Sequence, residues 1–307
     1  MRGIKMWRWW GCLAGGLELA MVVEGDWWQP GPGVNWDWRL AGSPKATTGV
    51  GMYDIDLFGK PTSEMQALRN AGIHVICYFS AGTYEEYRDD EDQFPRSALG
   101  FPIEDAEGEW WVNINDQGIK TVMMSRLDLA VTKGCDGVEP DAVEVYSYGE
   151  DVSGWDISAE DQLTYNKWIA DQAHERNLSV ALKNNPLQVV ELQPWFDWAL
   201  STDCYSEGMC DVYAPFLAAG KAVVDAEFEV TNLDLCNSTE AESIDFIVKG
   251  VSTLGELRCS CGFPETKRGA TIFWPSIKPP GAGHGKGIRG EGRGETPLRR
   301  TRALPPG

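Results

Sequence analysis

Histidine is scarce in this chain of 307 residues: only His74, His174 and His284 occur. The first opens an apolar strand-like run, the second lies in a helical pattern and the third in a Gly- and Pro-rich tail. No imidazole is therefore placed to serve a Ser-His-Asp triad. None of the eight cysteines stands in C-x-x-C spacing, and nothing points to a zinc site. No G-x-G-x-x-G follows the first strand-like segment, which removes the main support for a doubly wound, dinucleotide-binding sheet. Long apolar runs are missing too. The run from Trp9 to Gly16 is followed by Glu18 before Ala20 to Val23, too short and too broken for a stable membrane span. Residues 1–25 read as a degenerate signal or anchor segment.

Positive charge is the other scarcity, and it is unevenly spread. Lys and Arg number 27 against 46 Asp and Glu, for a net charge of -19. The tail from Gly262 carries nine basic residues against three acidic ones, and residues 1–25 carry three against two, which leaves -26 on residues 26–261. A phosphate backbone or an anionic membrane selects the opposite sign, so nucleic acid is not an expected partner. A neutral or cationic ligand is compatible. Residues 262–307, rich in Pro, Gly and Arg, cannot bury enough apolar surface to offset their ordering entropy and read as a disordered tail.

The central segment is rich in tryptophan, with 14 in the whole chain. Trp27, Trp28, Trp36, Trp38, Trp110, Trp111 and Trp155 stand beside polar residues, where an indole either packs with its N–H satisfied or offers a flat face to a sugar ring. Strand-like runs fall at Trp36 to Leu40, Val50 to Asp56, Ile73 to Ser80, Asp136 to Asp141, Ser179 to Lys183, Trp198 to Thr202, Lys221 to Glu227 and Ile244 to Val248. Between them lie helical patterns at Ser63 to Ala71, Ile119 to Lys133, Ala159 to Arg176, Leu187 to Phe196 and Tyr213 to Ala219. Ser158 and either Thr62 or Ser63 are placed as N-caps, and Gly72, Gly134 and Gly220 as stops. Alternation of this kind predicts an α/β fold: a (β/α)8 TIM barrel forming a single domain over residues 26–261, expected to be a monomer.

Chemistry in such a barrel sits on the loops after the strands, and here those strand ends are acidic. They read Tyr53-Asp54-Ile55-Asp56, Glu139-Pro140-Asp141, Asp203-Cys204-Tyr205-Ser206-Glu207 and Asp225-Ala226-Glu227. Converging carboxylates suit glycoside hydrolysis, in which one group protonates the leaving oxygen and another acts at the anomeric carbon or on water. A metal-dependent lyase or aldolase is the competing use of an acidic ring, but no histidine accompanies this one, and no metal or cofactor is expected. Asp54 or Asp56 equally suits the capping of a strand end, and Asp136 the turn into its strand. Lys183 with Asn184 reads either as a salt bridge and turn or as substrate contacts. Cys77 and Cys135 read as small buried hydrophobes, and Cys204 with Cys210 as a pin across a short loop. The sequons at Asn177 and Asn237 join the N-terminal run in pointing to a secreted or cell-surface protein.

The residues Trp36-Asp37-Trp38-Arg39-Leu40, Met52-Tyr53-Asp54-Ile55-Asp56-Leu57-Phe58, Val75-Ile76-Cys77-Tyr78-Phe79-Ser80-Ala81-Gly82, Gly134-Cys135-Asp136-Gly137-Val138-Glu139-Pro140-Asp141 and Phe196-Asp197-Trp198-Ala199-Leu200 occur in one order. With Ser125 to Ala130 and Ala181 to Asn184, they resemble the glycoside hydrolase family 114 barrel. That resemblance implies endo-α-1,4-polygalactosaminidase or α-galactosidase-type hydrolysis of a neutral or cationic galactosamine or galactose polymer. It places the family's catalytic aspartate on Asp141 and its partner glutamate on Thr202, whose hydroxyl has no useful acidity near neutral pH. Two nearby carboxylates are candidate substitutes. Asp203 needs a bulge or turn to face the site; Glu207, on the loop between Cys204 and Cys210, reaches further and is the preferred acid/base. Expected sugar contacts are Trp36, Trp38, Tyr53, Asp54, Tyr78, Glu139, Lys183 and Asn184. Ala142 and Glu144 stand where relatives tend to carry Asn and Asp. The alternative to an enzyme is a barrel that binds carbohydrate but lost proton transfer at Thr202.

Overall fold

A computed structural model describes residues 27–44, 49–104, 106–228, 243–249 and 259–260, together with positions 235, 238 and 240. The segments 1–25 and 262–307, Cys12, Cys236, Cys261 and the sequon at Asn237 lie outside the described residues. Among the described residues no helix is long and apolar enough to cross a membrane.

The strands are β1 (Trp36–Arg39), β2 (Met52–Asp56), β3 (His74–Ser80), β4 (Thr83–Glu85), β5 (Leu99–Pro102), β6 (Glu109–Val112), β7 (Gly137–Asp141), β8 (Ser179–Lys183), β9 (Trp198–Thr202), β10 (Val223–Glu227), β11 (Asp245–Val248) and β12 (Cys259–Ser260). The helices are α1 (Thr62–Asn70), α2 (Gln117–Lys133), α3 (Glu150–Ser153), α4 (Ala159–His174), α5 (Val189–Leu192) and α6 (Ala214–Ala218). One sheet runs β1-β2-β3-β7-β8-β9-β10-β11, every neighbour parallel, with β12 added antiparallel to β11. The ends of this sheet meet. Trp36 Nε1 donates to Asp245 O at 2.8 Å, Gly33 N donates to Asp245 Oδ2 at 2.9 Å, and Lys249 Nζ pairs with Asp37 Oδ1 at 2.6 Å. The result is the expected (β/α)8 barrel.

Period-two alternation sorts the strand residues into two layers. Trp36, Trp38, Met52, Ile76, Tyr78, Ala181, Trp198 and Leu200 fill the barrel interior, whereas Tyr53, Val75, Cys77, Val138, Leu182 and Phe246 pack outward in the cluster that includes the helices. Helix α4 starts with a full capping box between Ser158 and Asp161, which satisfies two otherwise free N–H groups. Helix α2 is capped by Asp116, whose carboxylate accepts from Gly118 N, and it stops at Gly134 with φ 83°. Helix α1 follows Pro61 and has no side-chain cap, so the N-cap role expected of Thr62 or Ser63 is not filled. The pattern from Leu187 to Phe196 forms only a 3-10 turn at Pro186–Gln188 and the short α5.

Two features depart from the sequence reading. Cys77 and Cys135 are not free thiols but a disulfide, joining β3 to the residue pair before β7. Between β3 and α2 the chain makes an antiparallel sheet in the order β4-β6-β5, standing on the side where β3 ends. The Cys204–Cys210 disulfide is present as expected.

The turn leaving β7 carries Ala142 at φ 56°, a left-handed conformation that costs an L-residue with a Cβ about 1 kcal/mol and that Asn tolerates better. Ala142→Asn is expected to raise stability by about 0.5–1 kcal/mol, with a melting temperature higher by about 1–4 °C in calorimetry.

Candidate active site

The inward-facing residues at the C-terminal ends of the strands define the mouth. Register pairs Trp38 with Asp54, Tyr78 with Glu139, Ser80 with Asp141, and Leu200 with Lys183. Asp141 and Lys183 meet at the top of adjacent strands, with Nζ to Oδ1 3.3 Å. Lys183 also lies 5.6 Å from the Trp38 ring centroid. Burial alone would pull the lysine down, but Asp141, Glu139 and Glu144 together hold it above its ordinary value, so it is a permanent cation.

Lys183 faces several carboxyls, and where burial and like charge crowd such groups the protonated form is favoured. Asp54 and Glu139 are fully buried one layer below Asp141. Their carboxyls face each other and among the described residues meet no other hydrogen-bond donor, and burial drives both well above the carboxylate range. Such a pair is tolerable only with a proton held between the two groups. Glu144, three residues beyond Asp141, is pushed up to about 8 by burial and by the Asp141 charge, with Lys183 opposing. Asp141 itself is half-buried and ion-paired. The site thus combines an ion-paired carboxylate with a neighbouring carboxyl that keeps its proton near neutral pH, the division of labour used in acid-assisted bond cleavage.

The turn that carries Glu144 is fixed on several sides. Val143 O accepts from Asn166 Nδ2 at 2.9 Å and from Asn185 Nδ2 at 3.1 Å. Gly82 lies so close that a Cβ there would fall 2.0 Å from Ala142 O. No side chain fits at that position.

The antiparallel sheet supplies one wall. Tyr87 Oη lies 2.7 Å from Glu109 Oε1 and 3.1 Å from Glu85 Oε1, while Arg88 bridges Glu85 and Asp56. Burial pushes Glu109 up to about 7. Tyr78 joins this wall to the Asp141 group: burial first, then the charges of Asp141, Glu85 and Glu109, drive its phenol well upward. Behind the wall, buried Arg126 grips Asp90 through Nε and Nη2 and donates Nη1 to Ser80 O.

The residues expected from sequence divide clearly. Asp141, Lys183, Asp54, Glu139, Tyr78 and Trp38 come together in the mouth and the layer beneath it. Asn184, at φ 47°, accepts from Thr202 N and Thr202 Oγ1 at 3.0 and 3.3 Å and so fixes the rim beside them. Tyr53 points outward into the helix-facing core, away from the mouth, because strand parity sends it to the face opposite Asp54. Trp36 is 1% exposed at the start of β1, two residues before Trp38, and its indole N–H closes the barrel seam. Asp203 turns at φ 59° and accepts from Phe228 N at 2.9 Å, which ties the ends of β9 and β10 together. Glu207 is exposed on the 204–210 loop, and among the described residues no hydrogen bond or ion pair ties its carboxylate to Asp141. Asp225 and Glu227 face outward and anchor that loop through Cys204 N, Tyr205 N and Ser206 N. Cys204, Asp225 and Glu227 cluster closely enough to suggest metal ligation, but the Cys204 sulfur is consumed by its disulfide.

Sequence reasoning passed over Glu144 as a site group and missed the Glu85-Tyr87-Glu109 wall. Glu144 carried a faint signal, a carboxylate three places after a strand-terminal aspartate. The opposite end of the barrel holds a depression of about 500 Å³ lined by Arg69, His74 and Asp136. There Asp136 accepts from Val75 N at 3.0 Å and pairs with Arg69 at 3.2 Å. Those bonds give Asp136 the turn-fixing role expected of it.

Comparison with known proteins places this geometry. The sequence matches the glycoside-hydrolase family GH114 over residues 18–264. The crystal structure of Aspergillus fumigatus Ega3 in complex with galactosamine is 34% identical, with a TM-score of 0.70, covering 76% of this chain and 97% of that one. The glycoside hydrolase domain of PelA from Pseudomonas aeruginosa shares the fold at 12% identity and a TM-score of 0.60, covering 75% and 99%. No curated protein sequence matches the chain. The family match spans the whole barrel, and the Aspergillus structure is covered over nearly its full length. The chain is therefore a member of glycoside-hydrolase family GH114, a glycosidase built on a (β/α)8 barrel.

Proposed function

We propose that this glycosidase cleaves an α-linked, at least partly deacetylated galactosamine polymer, with Asp141 as the carboxylate that meets the anomeric carbon. The observation that carries the reading is the Asp141–Lys183 pair at the top of adjacent strands, surrounded by carboxyls, in a chain 34% identical to a structure holding galactosamine. Trp38, Tyr78, Asn184 and the Glu85-Tyr87-Glu109 wall shape the sugar sites around it. An amino sugar is cationic, and -26 on residues 26–261 attracts a polycation and raises its encounter rate at low salt. Two disulfides support an oxidising location such as the secretory route, and exposed Asn177, at φ 56° beyond α4, is available to a glycosyl group.

The test is release of reducing ends from partially deacetylated α-1,4-galactosamine polymer, with polygalacturonate as the anionic control. Release from the first and not the second, slowing as salt is raised, is the expected result. A protein that releases ends from neither polymer overturns the proposal. Thr202 favours a second reading, in which the barrel holds the polymer without cutting it: its Oγ1 bonds to Asn184 and offers no carboxyl. Turnover that appears only in Thr202→Glu, with polymer binding unchanged, would establish that reading.

A further inference from the structure

The position that should carry the second carboxyl holds Thr202, yet the mouth contains a carboxyl that the reading above leaves unused. Glu144 is 7% exposed, and among the described residues its buried Oε2 has no hydrogen-bond partner. The charged and titratable groups around it come from each neighbouring element. Asp141 lies on the same turn and Lys183 at the end of β8. Tyr146 follows on the next turn, and Tyr213 stands beside β9, its hydroxyl on Asn184 O at 3.3 Å. The carboxyl of Glu144 is thus within electrostatic reach of Asp141 and of Lys183 at the end of β8, next to Asn184, which holds Thr202. Its backbone is pinned by the bonds to Val143 O and by the close approach of Gly82. Neither Glu207 nor Asp203 matches this: the first stands in solvent and the second is engaged with Phe228 N.

Resting on the hydrolase reading, we infer that Glu144 is the catalytic acid/base of this chain, supplying from the turn after β7 the carboxyl that β9 lacks. In the first step the glycosidic C1–O bond breaks and its electron pair leaves with the oxygen, which takes the proton from Glu144. The positive charge left at C1 is met by the Asp141 carboxylate. A water oxygen then bonds to C1, and one of its protons returns to Glu144. The chain ends as it began, and one water has been added across the bond. The carboxyl keeps its proton up to about pH 8, so it is loaded for the first step at neutral pH.

The experiment compares wild type, Glu144→Gln and Glu144→Asp on two probes. One is the galactosamine polymer, whose sugar leaving group needs a proton. The other is an α-galactosamine oligomer ending in 2,4-dinitrophenol, which leaves without one. Glu144→Gln is expected to lower kcat/KM on the polymer on the order of 10²-fold, to lower dinitrophenol release less than tenfold, and to lose the fall in rate above about pH 8. Glu144→Asp keeps a carboxyl and is expected to recover most of the polymer activity. Equal losses on both probes, or no loss on the polymer, would overturn the assignment while leaving the hydrolase reading intact. A wild type that cleaves neither probe overturns the hydrolase reading and this inference with it.

Discussion

Asp141→Asn is expected to lower hydrolysis of the galactosamine polymer on the order of 10³-fold, the scale of losing a preorganised charge aimed at the reacting centre. Asparagine has the same shape, and the turn around it is held by Val143 O and Gly82 rather than by the carboxylate, so the fold and polymer retention should survive. What disappears is the negative charge facing the anomeric carbon and the 3.3 Å partner of Lys183. A second consequence separates this variant from a merely damaged one. Asp141 is one of the two causes that raise Glu144, after burial. Its neutralisation lets Glu144 release its proton earlier, so the remaining activity should fall off at lower pH than in the wild type. Rates equal to wild type would remove Asp141 from the mechanism.

Replacing Cys77 and Cys135 together with alanine is expected to cost about 4 kcal/mol. The bridge closes a loop with a sequence separation of 58, and the entropy it removes from the unfolded chain grows with the logarithm of loop length. Both positions lie in the outward core beside Val75 and Val138, so alanine leaves packing nearly intact and the loss is dominated by the chain constraint. For a domain of this size the melting temperature should drop by roughly 8–16 °C. The Cys204–Cys210 bridge, with a separation of 6, should contribute only about 2 kcal/mol by the same logarithm. An unchanged unfolding curve for the first double variant would mean the two thiols are not bridged in the protein.

The barrel was legible because each strand pairs a short β-branched or aromatic run with a glycine or capping residue nearby. The strands at 179–183 and 198–202 match the sequence reading at both ends, and the others shift by no more than two residues. The wall from Thr83 to Val112 was not legible. Its strands are short, β4 carries Glu85 at a buried position, and their pairing with one another is invisible along the chain. The Cys77–Cys135 bridge was hidden for a related reason: it joins β3 to the residues just ahead of β7, a strand adjacent to it only through the crossover. In the site, Asp141 and Lys183 end strands on the inward face and could be read from parity, which also should have turned Tyr53 outward. Glu144 left only a faint trace in the sequence, since an acidic loop residue ordinarily faces water, and tertiary packing is what shows it buried.

The seam between β11 and β1 sets an order of events during synthesis. Asp37 lies 1% exposed and meets its lysine 212 residues later in the chain. Until Lys249 has emerged from the ribosome, β1 is an uncovered sheet edge whose Asp37 carboxylate has, among the other described residues, Arg39 and Trp38 N as partners. An unpaired edge of that kind invites pairing with other chains. Strand β11 therefore works as a latch: the edge at β1 stays open to misassembly until residues 245–249 have been made and can cover it.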